Sequence, residues 1–278
     1  MINIIYRAET VGPVCQRVAR ESNVIQVIRD NKPVPSGTIV RWGSVWPADG
    51  NVRRSINSAE AVAVAQDKIE SRKRLGDLSP ATFFRKQDLP NPSNFELPAH
   101  LEQLPLIIRP QKHHAGKRFF VCKTQLAVKQ ALRKCPVWYA TTLVDKASEY
   151  RVFVCQGRIV AVSERFPAPN AVGASRIAWN LALGGRLINV RYSDWPVPVC
   201  KASILAAERL GLDWCAIDIA VDVSGNVFVF EANTAPGLRN PFTIQQIAKV
   251  FSWINEHDTP IPSERDRWQN LRHPALQQ

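Results

Sequence analysis

Short apolar runs alternate with one helical pattern at the start of the chain. Residues 2–6, 23–28 and 38–42 are apolar runs of strand length, and residues 13–21 have room for about two helical turns. Three strands with a helix between the first two predict a β-α-β arrangement with a partly parallel sheet. We therefore expect residues 1–56 to form a small N-terminal α/β domain.

The rest of the chain mixes helices with hairpins. An alanine-rich pattern over residues 57–75 predicts one helix that ends at Gly76. Gln156-Gly157 separates two apolar runs as a two-residue hairpin turn. Further strands are expected at 79–84, 106–109, 119–123, 137–143, 150–155, 158–163, 215–223 and 226–231, with helices at 96–104, 124–134, 199–210 and 244–254 and a polar tail over 255–278.

Composition excludes several classes of protein. The 278 residues are 45% hydrophobic and 22% charged, which is typical of a folded globular protein. No window approaches the roughly 18 consecutive apolar residues of a membrane span. No signal peptide is visible, and the six cysteines form no CxxC pair, so we expect reduced core cysteines in a cytoplasmic protein.

The chain is strongly basic, with a formal net charge of +12. Residues 103–144 contain no acidic side chain, and eight basic ones fall there: Arg109, Lys112, Lys117, Arg118, Lys123, Lys129, Arg133 and Lys134. A block of one sign favours an anionic partner, either a nucleic-acid backbone or a phosphorylated small molecule. A solvated basic face without a ligand is equally compatible with charge alone.

The hairpin over residues 215–231 predicts a metal site. If Ser224-Gly225 is a two-residue turn, Asp218 lies opposite Glu231. The polar face then holds Asp218, Asp222, Glu231 and Asn233, and the apolar face holds Ile217, Ile219, Val221, Phe228 and Phe230. Two opposed carboxylates repel unless a cation lies between them, and carboxylate and amide oxygens suit Mg²⁺ or Mn²⁺. A solvent-exposed acidic face is the alternative.

The same hairpin carries a resemblance to a known family. The run Glu-Ala-Asn-Thr-Ala-Pro-Gly-Leu at 231–238, preceded by Ala-Ile-Asp at 216–218, resembles the C-terminal motif of ATP-grasp enzymes. Other segments match in the right order over roughly residues 60–245: Asp67-Lys68, 79–82, 106–110, Glu-Tyr-Arg-Val at 149–152, Arg165, Trp179-Asn180 and Gly184-Gly185.

The resemblance implies an α/β (α+β) architecture. We expect an ATP-grasp fold, in which two α+β lobes grip ATP behind a small N-terminal α/β domain. Residues 57–254 would form the ATP-grasp domain, with a central lobe at about 78–138 and a C-terminal lobe at about 139–254.

The resemblance also implies roles for individual residues. Asp218, Glu231 and Asn233 would hold the magnesium of MgATP. Asn180 would lie beside these metal ligands. Arg109 would contact the α- and β-phosphates, and Arg151 and Arg165 would neutralise the transferred γ-phosphoryl group or the acyl phosphate formed from it. The other expected nucleotide contacts are Lys68, His114, Gly116, Lys117, Tyr139, Thr141, Thr142, Leu143, Val144 and Glu149, although Lys68 could equally be a solvated helix residue.

Three departures from the family pattern bear on nucleotide binding. Arg109 stands where the family most often has Lys, the loop 113–118 has a single glycine, and the strand 139–144 lacks the acidic residue that commonly binds ribose. Nucleotide selectivity is therefore left open.

The implied activity is ATP-dependent ligation of a carboxylate to an amine through an acyl phosphate. The chain most resembles the small branch that joins amino acids or peptides, including glutamate-ligase-like enzymes. The partners would be ATP, a carboxylate and an amine, with an acidic peptide or protein among the candidates, no membrane, and a homo-oligomer allowed. The alternative is a nucleic-acid-binding protein on a degenerate ATP-grasp scaffold.

Overall fold

Three β-sheets organise the protein. The computed structural model describes residues 1–7, 11–47, 52–84, 104–110, 119–134, 138–173, 177–179 and 181–257. Most of the helix predicted at 96–104 and nearly all of the tail predicted at 255–278 lie outside these ranges. Over the described ranges, no helix has the length and apolar character needed to cross a membrane.

The N-terminal sheet is parallel. It contains β1 (Ile2–Tyr6), β2 (Ile25–Arg29), β3 (Gly37–Trp42) and β4 (Val52–Ile56), in the order β2-β1-β3-β4, with helix α1 (Gly12–Ala19) between β1 and β2. The predicted β-α-β start is confirmed. The sequence pattern does not predict strand β4, because Arg53 and Arg54 interrupt its apolar residues.

The helix predicted over residues 57–75 is wrong as a single element. Two helices form instead, α2 (Ala59–Gln66) and α3 (Lys68–Leu75), because Asp67 between them has extended backbone at φ −78° and ψ 107°. Its carboxylate accepts hydrogen bonds from the amides of Ile69 and Glu70 and so caps α3. Helix α3 ends at Gly76, as predicted.

The central sheet is antiparallel. Its strands are β5 (Thr82–Phe84), β6 (Leu106–Pro110), β7 (Phe120–Cys122) and β8 (Trp138–Thr142), in the order β5-β8-β6-β7. Helix α4 (Gln125–Lys134) packs against it through Val128, Ala131 and Leu132, which share a small core with Ile108.

The C-terminal sheet is also antiparallel. Its order is β11-β10-β9-β12-β13, built from β9 (Lys146–Cys155), β10 (Arg158–Phe166), β11 (Arg186–Asn189), β12 (Trp214–Asp222) and β13 (Val227–Asn233). Helices α5 (Val197–Leu210) and α6 (Pro241–Glu256) pack on it. The turn Gln156-Gly157 is confirmed, with φ of +49° and +70° as a type I′ hairpin turn needs.

The N-terminal and C-terminal sheets share one hydrophobic core. The ring centroids of Trp42 and Trp214 lie 5.4 Å apart, and those of Trp214 and Phe251 lie 5.3 Å apart. Asn57 joins the same units through its side chain. Its Nδ2 donates to the Trp214 carbonyl at 2.7 Å, and its Oδ1 accepts from the Trp214 backbone N–H at 2.9 Å. These contacts fix the β1–β4 unit on the C-terminal sheet.

The described cysteines are free and buried, as predicted: Cys15, Cys122, Cys155, Cys200 and Cys215. Burial raises the pKa of Cys15 and of Cys200 to about 12 in each case. They serve as packing residues rather than nucleophiles.

Candidate active site

A cavity of about 1120 Å³ lies where the three sheets meet. Twelve of the predicted site residues line it: Lys68, Arg109, Thr141, Thr142, Leu143, Val144, Glu149, Arg151, Arg165, Asp218, Glu231 and Asn233. Tyr139 is 1% exposed and does not belong to the described walls. His114, Gly116, Lys117 and Asn180 lie outside the described residues.

Asp218 and Glu231 pair directly across β12 and β13, as predicted. The predicted turn is wrong, however, because residues 223–225 form a three-residue loop closed by the Asp222 amide, which donates to the Asn226 carbonyl at 2.9 Å. A bulge at Phe230 then shifts the register by one residue and restores the pair of carboxylates.

The loop and the bulge together change which side chains share a face. Val229 and Ala232 pack with Ile217 and Ile219 in the core, in place of the predicted Phe228 and Phe230. Phe230 lines the cavity instead. Asp222 lies at the turn, where its carboxylate accepts from the amides of Ser224 and Asn226, so it leaves the predicted polar face.

Two arginines hold the Asp218 carboxylate. Arg151 donates from Nε to Oδ1 at 2.7 Å and from Nη2 to Oδ2 at 2.8 Å, a bidentate pair set by the register of β9 against β12. Arg165 adds bonds from Nη2 to both oxygens at 3.1 Å. Burial alone would raise the pKa of Asp218, but the two guanidinium groups outweigh it and hold that pKa well below its usual range.

The network continues through Glu149 to Lys146. Glu149 accepts from Arg165 Nη1 at 2.7 Å, and its second oxygen accepts from Lys146 Nζ. Lys146 also donates to the Ile177 carbonyl at 2.8 Å and lies 4.3 Å from the Trp179 ring centroid. Burial lowers the pKa of Lys146, and this is only partly offset by Glu149.

Glu231 is more open than Asp218. Its carboxylate lies 3.2 Å from Lys68 Nζ, and its side chain is 34% exposed to solvent against 6% for Asp218. The charge of Lys68 lowers the pKa of Glu231. Asn233 pairs with Ala216 on β12. Its Oδ1 accepts from the Ala235 backbone N–H at 2.9 Å and so orders the segment after β13.

Comparisons with known proteins show which solved structures share this fold. No protein-family model matches the sequence, and no curated protein matches it. The ATP-grasp ligase PsnB, solved with a minimal precursor, superposes with a TM-score of 0.62 at 13% identity over 90% of this chain and 98% of that chain. The chain has the ATP-grasp fold.

Two more solved structures have the same fold. D-alanine–D-alanine ligase from Bacillus anthracis matches with a TM-score of 0.60 at 14% identity, over 93% of this chain and 99% of that one. A RiPP-associated ATP-grasp ligase of Chryseobacterium gregarium, in complex with ADP and leader and core peptides, gives 0.60 at 14% identity over 94% and 99%. The predicted fold class is therefore confirmed.

The donor set of this ATP-grasp fold suits a hard cation. Asp218, Glu231 and Asn233 offer carboxylate and amide oxygens on adjacent strands, which is the ligand chemistry of Mg²⁺. Among the described residues, no group of three or more His, Cys, Asp or Glu side chains could hold a metal ion. A cation would therefore need the Asn233 amide or the phosphate oxygens of a nucleotide as further ligands, and it would share both carboxylates with basic side chains.

Sequence reasoning missed two buried cations in the site, Lys146 and Arg72. Arg72 is 5% exposed on α3 and donates to the Val229 carbonyl at 3.4 Å and to the carbonyl of Phe230. It thus holds the bulge next to Glu231. Arg72 lies in the run Arg-Lys-Arg at 72–74, which looks like a solvated face, so local sequence carried no signal for its burial.

Proposed function

We propose that this protein is an ATP-dependent ligase that joins a carboxylate to an amine. The observation that carries the proposal is the Asp218–Glu231 pair, set in a cavity where cations outnumber anions on an ATP-grasp fold. Among the described residues, four carboxylates and eight basic side chains line that cavity: Asp67, Glu149, Asp218 and Glu231, against Arg7, Lys68, Arg72, Arg109, Lys146, Arg151, Arg165 and Arg239. An excess of four positive charges suits a polyanion such as a nucleoside triphosphate.

Mutual repulsion among the cations supports a phosphate site. Burial lowers the pKa of Arg72, and the nearby charge of Arg109 lowers it further. The charges of Arg165 and Arg109 likewise lower the pKa of Lys146. Cations that repel one another in a cavity gain stability when an anion binds between them. We assign the α- and β-phosphates to Arg109 on β6, with Lys68 and the loop residues His114, Gly116 and Lys117 as further contacts.

The adenine would lie along the exit of β8. Thr141, Thr142, Leu143 and Val144 line the cavity as the chain passes from the central to the C-terminal sheet. The amides of Thr142 and Leu143 already donate to the carbonyls of Ala81 and Pro105, each at 3.1 Å. A base would therefore use the other main-chain groups of this segment, beside the apolar Leu143 and Val144 side chains. Tyr139 is enclosed in the central sheet and would support this segment from behind.

The reaction would proceed in two displacements. A substrate carboxylate oxygen attacks the γ-phosphorus, the bond from that phosphorus to the β–γ bridging oxygen breaks, and ADP leaves. The amine nitrogen then attacks the acyl carbon of the acyl phosphate, inorganic phosphate leaves, and the nitrogen loses a proton to give the amide. The protein's part is positioning and charge stabilisation, as in other phosphoryl transfers.

Arg151 and Arg165 would stabilise the transferred group. Both are held by Asp218, and Arg165 is also held by Glu149, so their guanidinium groups are fixed before any substrate binds. Donors that need no reorganisation stabilise developing charge well. Asp218, Glu231 and Asn233 would hold Mg²⁺, with Asn180 beside them. Magnesium bound there would neutralise phosphate charge and polarise the γ-phosphoryl group.

Phosphate release tests the proposal. The 278-residue chain with MgATP and a panel of amino acids and acidic peptides should release phosphate only when a suitable carboxylate and amine are both present. Glu231→Gln should abolish that release, while an exposed carboxylate outside the cavity, Glu60→Gln on α2, should leave it unchanged. Equal phosphate release by wild type and Glu231→Gln would remove Glu231 from the site.

A further inference from the structure

The cavity extends beyond the carboxylate cluster into a recess against the N-terminal sheet. Arg7, Val11, Trp42, Gly43, Ala235 and Arg239 line this end, which we call the N-terminal recess. At most about 14 Å of extended chain separates Glu231 from Ala235, so the recess lies within reach of the carboxylate pair.

Close packing fixes the walls of the recess. Tyr6, next to Arg7, forms a β-bridge with Gly43. Gly43 has a φ of +73°, and a Cβ placed on it would lie 2.8 Å from the Ala235 Cβ, so the segment after β13 lies directly against the residue that follows β3. A Cβ on Gly12 would lie 3.0 Å from the Tyr6 ring, which fixes the start of α1 at the same place.

Helix α1 fixes the chain next to Arg239, the second arginine of the recess after Arg7. Arg17 on α1 donates from Nη2 to the Leu238 carbonyl at 2.6 Å, which fixes the residue before Arg239. Within the described part of the chain, Arg7 and Arg239 have no carboxylate partner, in contrast to Arg151 and Arg165. The recess therefore presents two positive charges that no carboxylate of the described residues neutralises.

The start of helix α1 adds to the positive character of the recess. Helix α1 begins after Val11, with no side-chain cap and no acidic residue in its first turn. A helix N-terminus of this kind favours negative charge, and it lies beside the two arginines.

We propose that the N-terminal recess binds a substrate carboxylate other than the one that is activated. The inference rests on the proposed ligase function and narrows its substrate to acidic compounds. A dicarboxylic amino acid or an acidic side chain of a peptide supplies this group, with Arg7 and Arg239 pairing with it. The cluster at Asp218 is built from other strands and serves the phosphoryl group, so recognition and chemistry use separate arginines.

Binding of acidic probes and their amides tests this assignment. Calorimetry on the full chain, with and without MgADP, compares L-glutamate with L-glutamine, and alanyl-glutamyl-alanine with alanyl-glutaminyl-alanine. We expect one acidic probe to bind about tenfold or more tightly than its amide, as for a charge-assisted pair. The free amino acid and the peptide separate the two sources of the carboxylate.

Variants test whether the recess causes the preference for an acidic probe over its amide. Arg7→Gln and Arg239→Gln should each reduce it at least about fivefold, and because both residues are exposed, both variants should fold. Arg186→Gln on β11, outside the cavity, should keep the full preference. Equal binding of acid and amide, no binding of any acidic probe, or an unchanged preference in both recess variants would each overturn the proposal. ADP affinity in the same titrations tests the nucleotide site separately.

Discussion

Arg151 and Asp218 form a bidentate ion pair across β9 and β12, with both donor–acceptor distances between 2.7 and 2.8 Å. The side chains are 12% and 6% exposed, so neither charge is well solvated. A buried pair of this kind is costly to break, because removal of one partner leaves the other charge uncompensated. Asp218 therefore links the stability of the C-terminal sheet to the chemistry of the cavity.

The first prediction separates the two carboxylates by stability. Asp218→Asn should lower the free energy of unfolding by about 3–5 kcal/mol, because Arg151 and Arg165 lose their shared anion. Glu231→Gln should cost clearly less, because Glu231 is partly solvated and its ion pair is with Lys68. Urea denaturation of both variants measures the difference. A loss for Glu231→Gln as large as that for Asp218→Asn would contradict the unequal burial of the two groups.

The second prediction concerns acid stability. The pKa of Asp218 is depressed in the folded state, so its contribution to stability is full above the unfolded pKa of about 3.9 and is lost as pH falls towards the native pKa. Stability should therefore fall steeply below about pH 4. Asp218→Asn should flatten that part of the curve in denaturation between pH 2 and pH 6. A wild-type curve with the same slope as the variant would show that Asp218 titrates normally.

A third prediction tests the phosphate strand. Arg109→Ala should weaken ATP binding by about tenfold or more, and Arg109→Lys should retain part of the affinity, because charge is kept while the planar fork is lost. Calorimetry with MgATP measures all three proteins. Arg133→Ala on α4, outside the cavity, is the matched control and should bind as wild type. Equal affinities in wild type, Arg109→Ala and Arg109→Lys would show that Arg109 does not contact the phosphates.

The fourth prediction concerns the bulge in β13. Arg72→Met keeps much of the apolar volume but removes the donors to the Val229 and Phe230 carbonyls, so Glu231 should lose its fixed position. Turnover should fall and the magnesium concentration for half-maximal activity should rise, with a stability loss of roughly 1–3 kcal/mol. Arg74→Met, two residues away and 38% exposed, is the control. If Arg72→Met lost stability while its magnesium dependence stayed that of wild type, the role of Arg72 would be structural only.

The candidate site shows which features the sequence predicts and which it does not. A two-residue turn predicts the Asp218–Glu231 pair, and the structure has the pair but not that turn. The loop 223–225 has one residue more, and the bulge at Phe230 compensates for it. Alternation along a strand cannot show such a compensation, because a bulge depends on the partner strand and on long-range contacts such as that of Arg72 with Phe230.

Other differences have the same origin. The sequence predicts Asp67 inside a helix because its neighbours are good helix formers, yet its carboxylate caps the start of a second helix. Lys146 gave no sign of being buried, since its partners Glu149 and Trp179 meet it only when β9 and the segment at 177–179 come together. Local pattern predicted most strands well, whereas burial of charge was decided by tertiary packing.

The central claim is tested most directly by product stoichiometry. Wild-type protein is incubated with MgATP, an acidic amino acid or peptide, and an amine, and ADP, phosphate and amide are quantified together. The account predicts the three products in equal amounts, and none of them with Glu231→Gln. The contrary result is a wild-type protein that yields no ADP or phosphate with any pair of substrates, yet binds an oligonucleotide tightly at physiological salt. Phosphate-only contacts by the basic block would instead weaken steeply as salt rises.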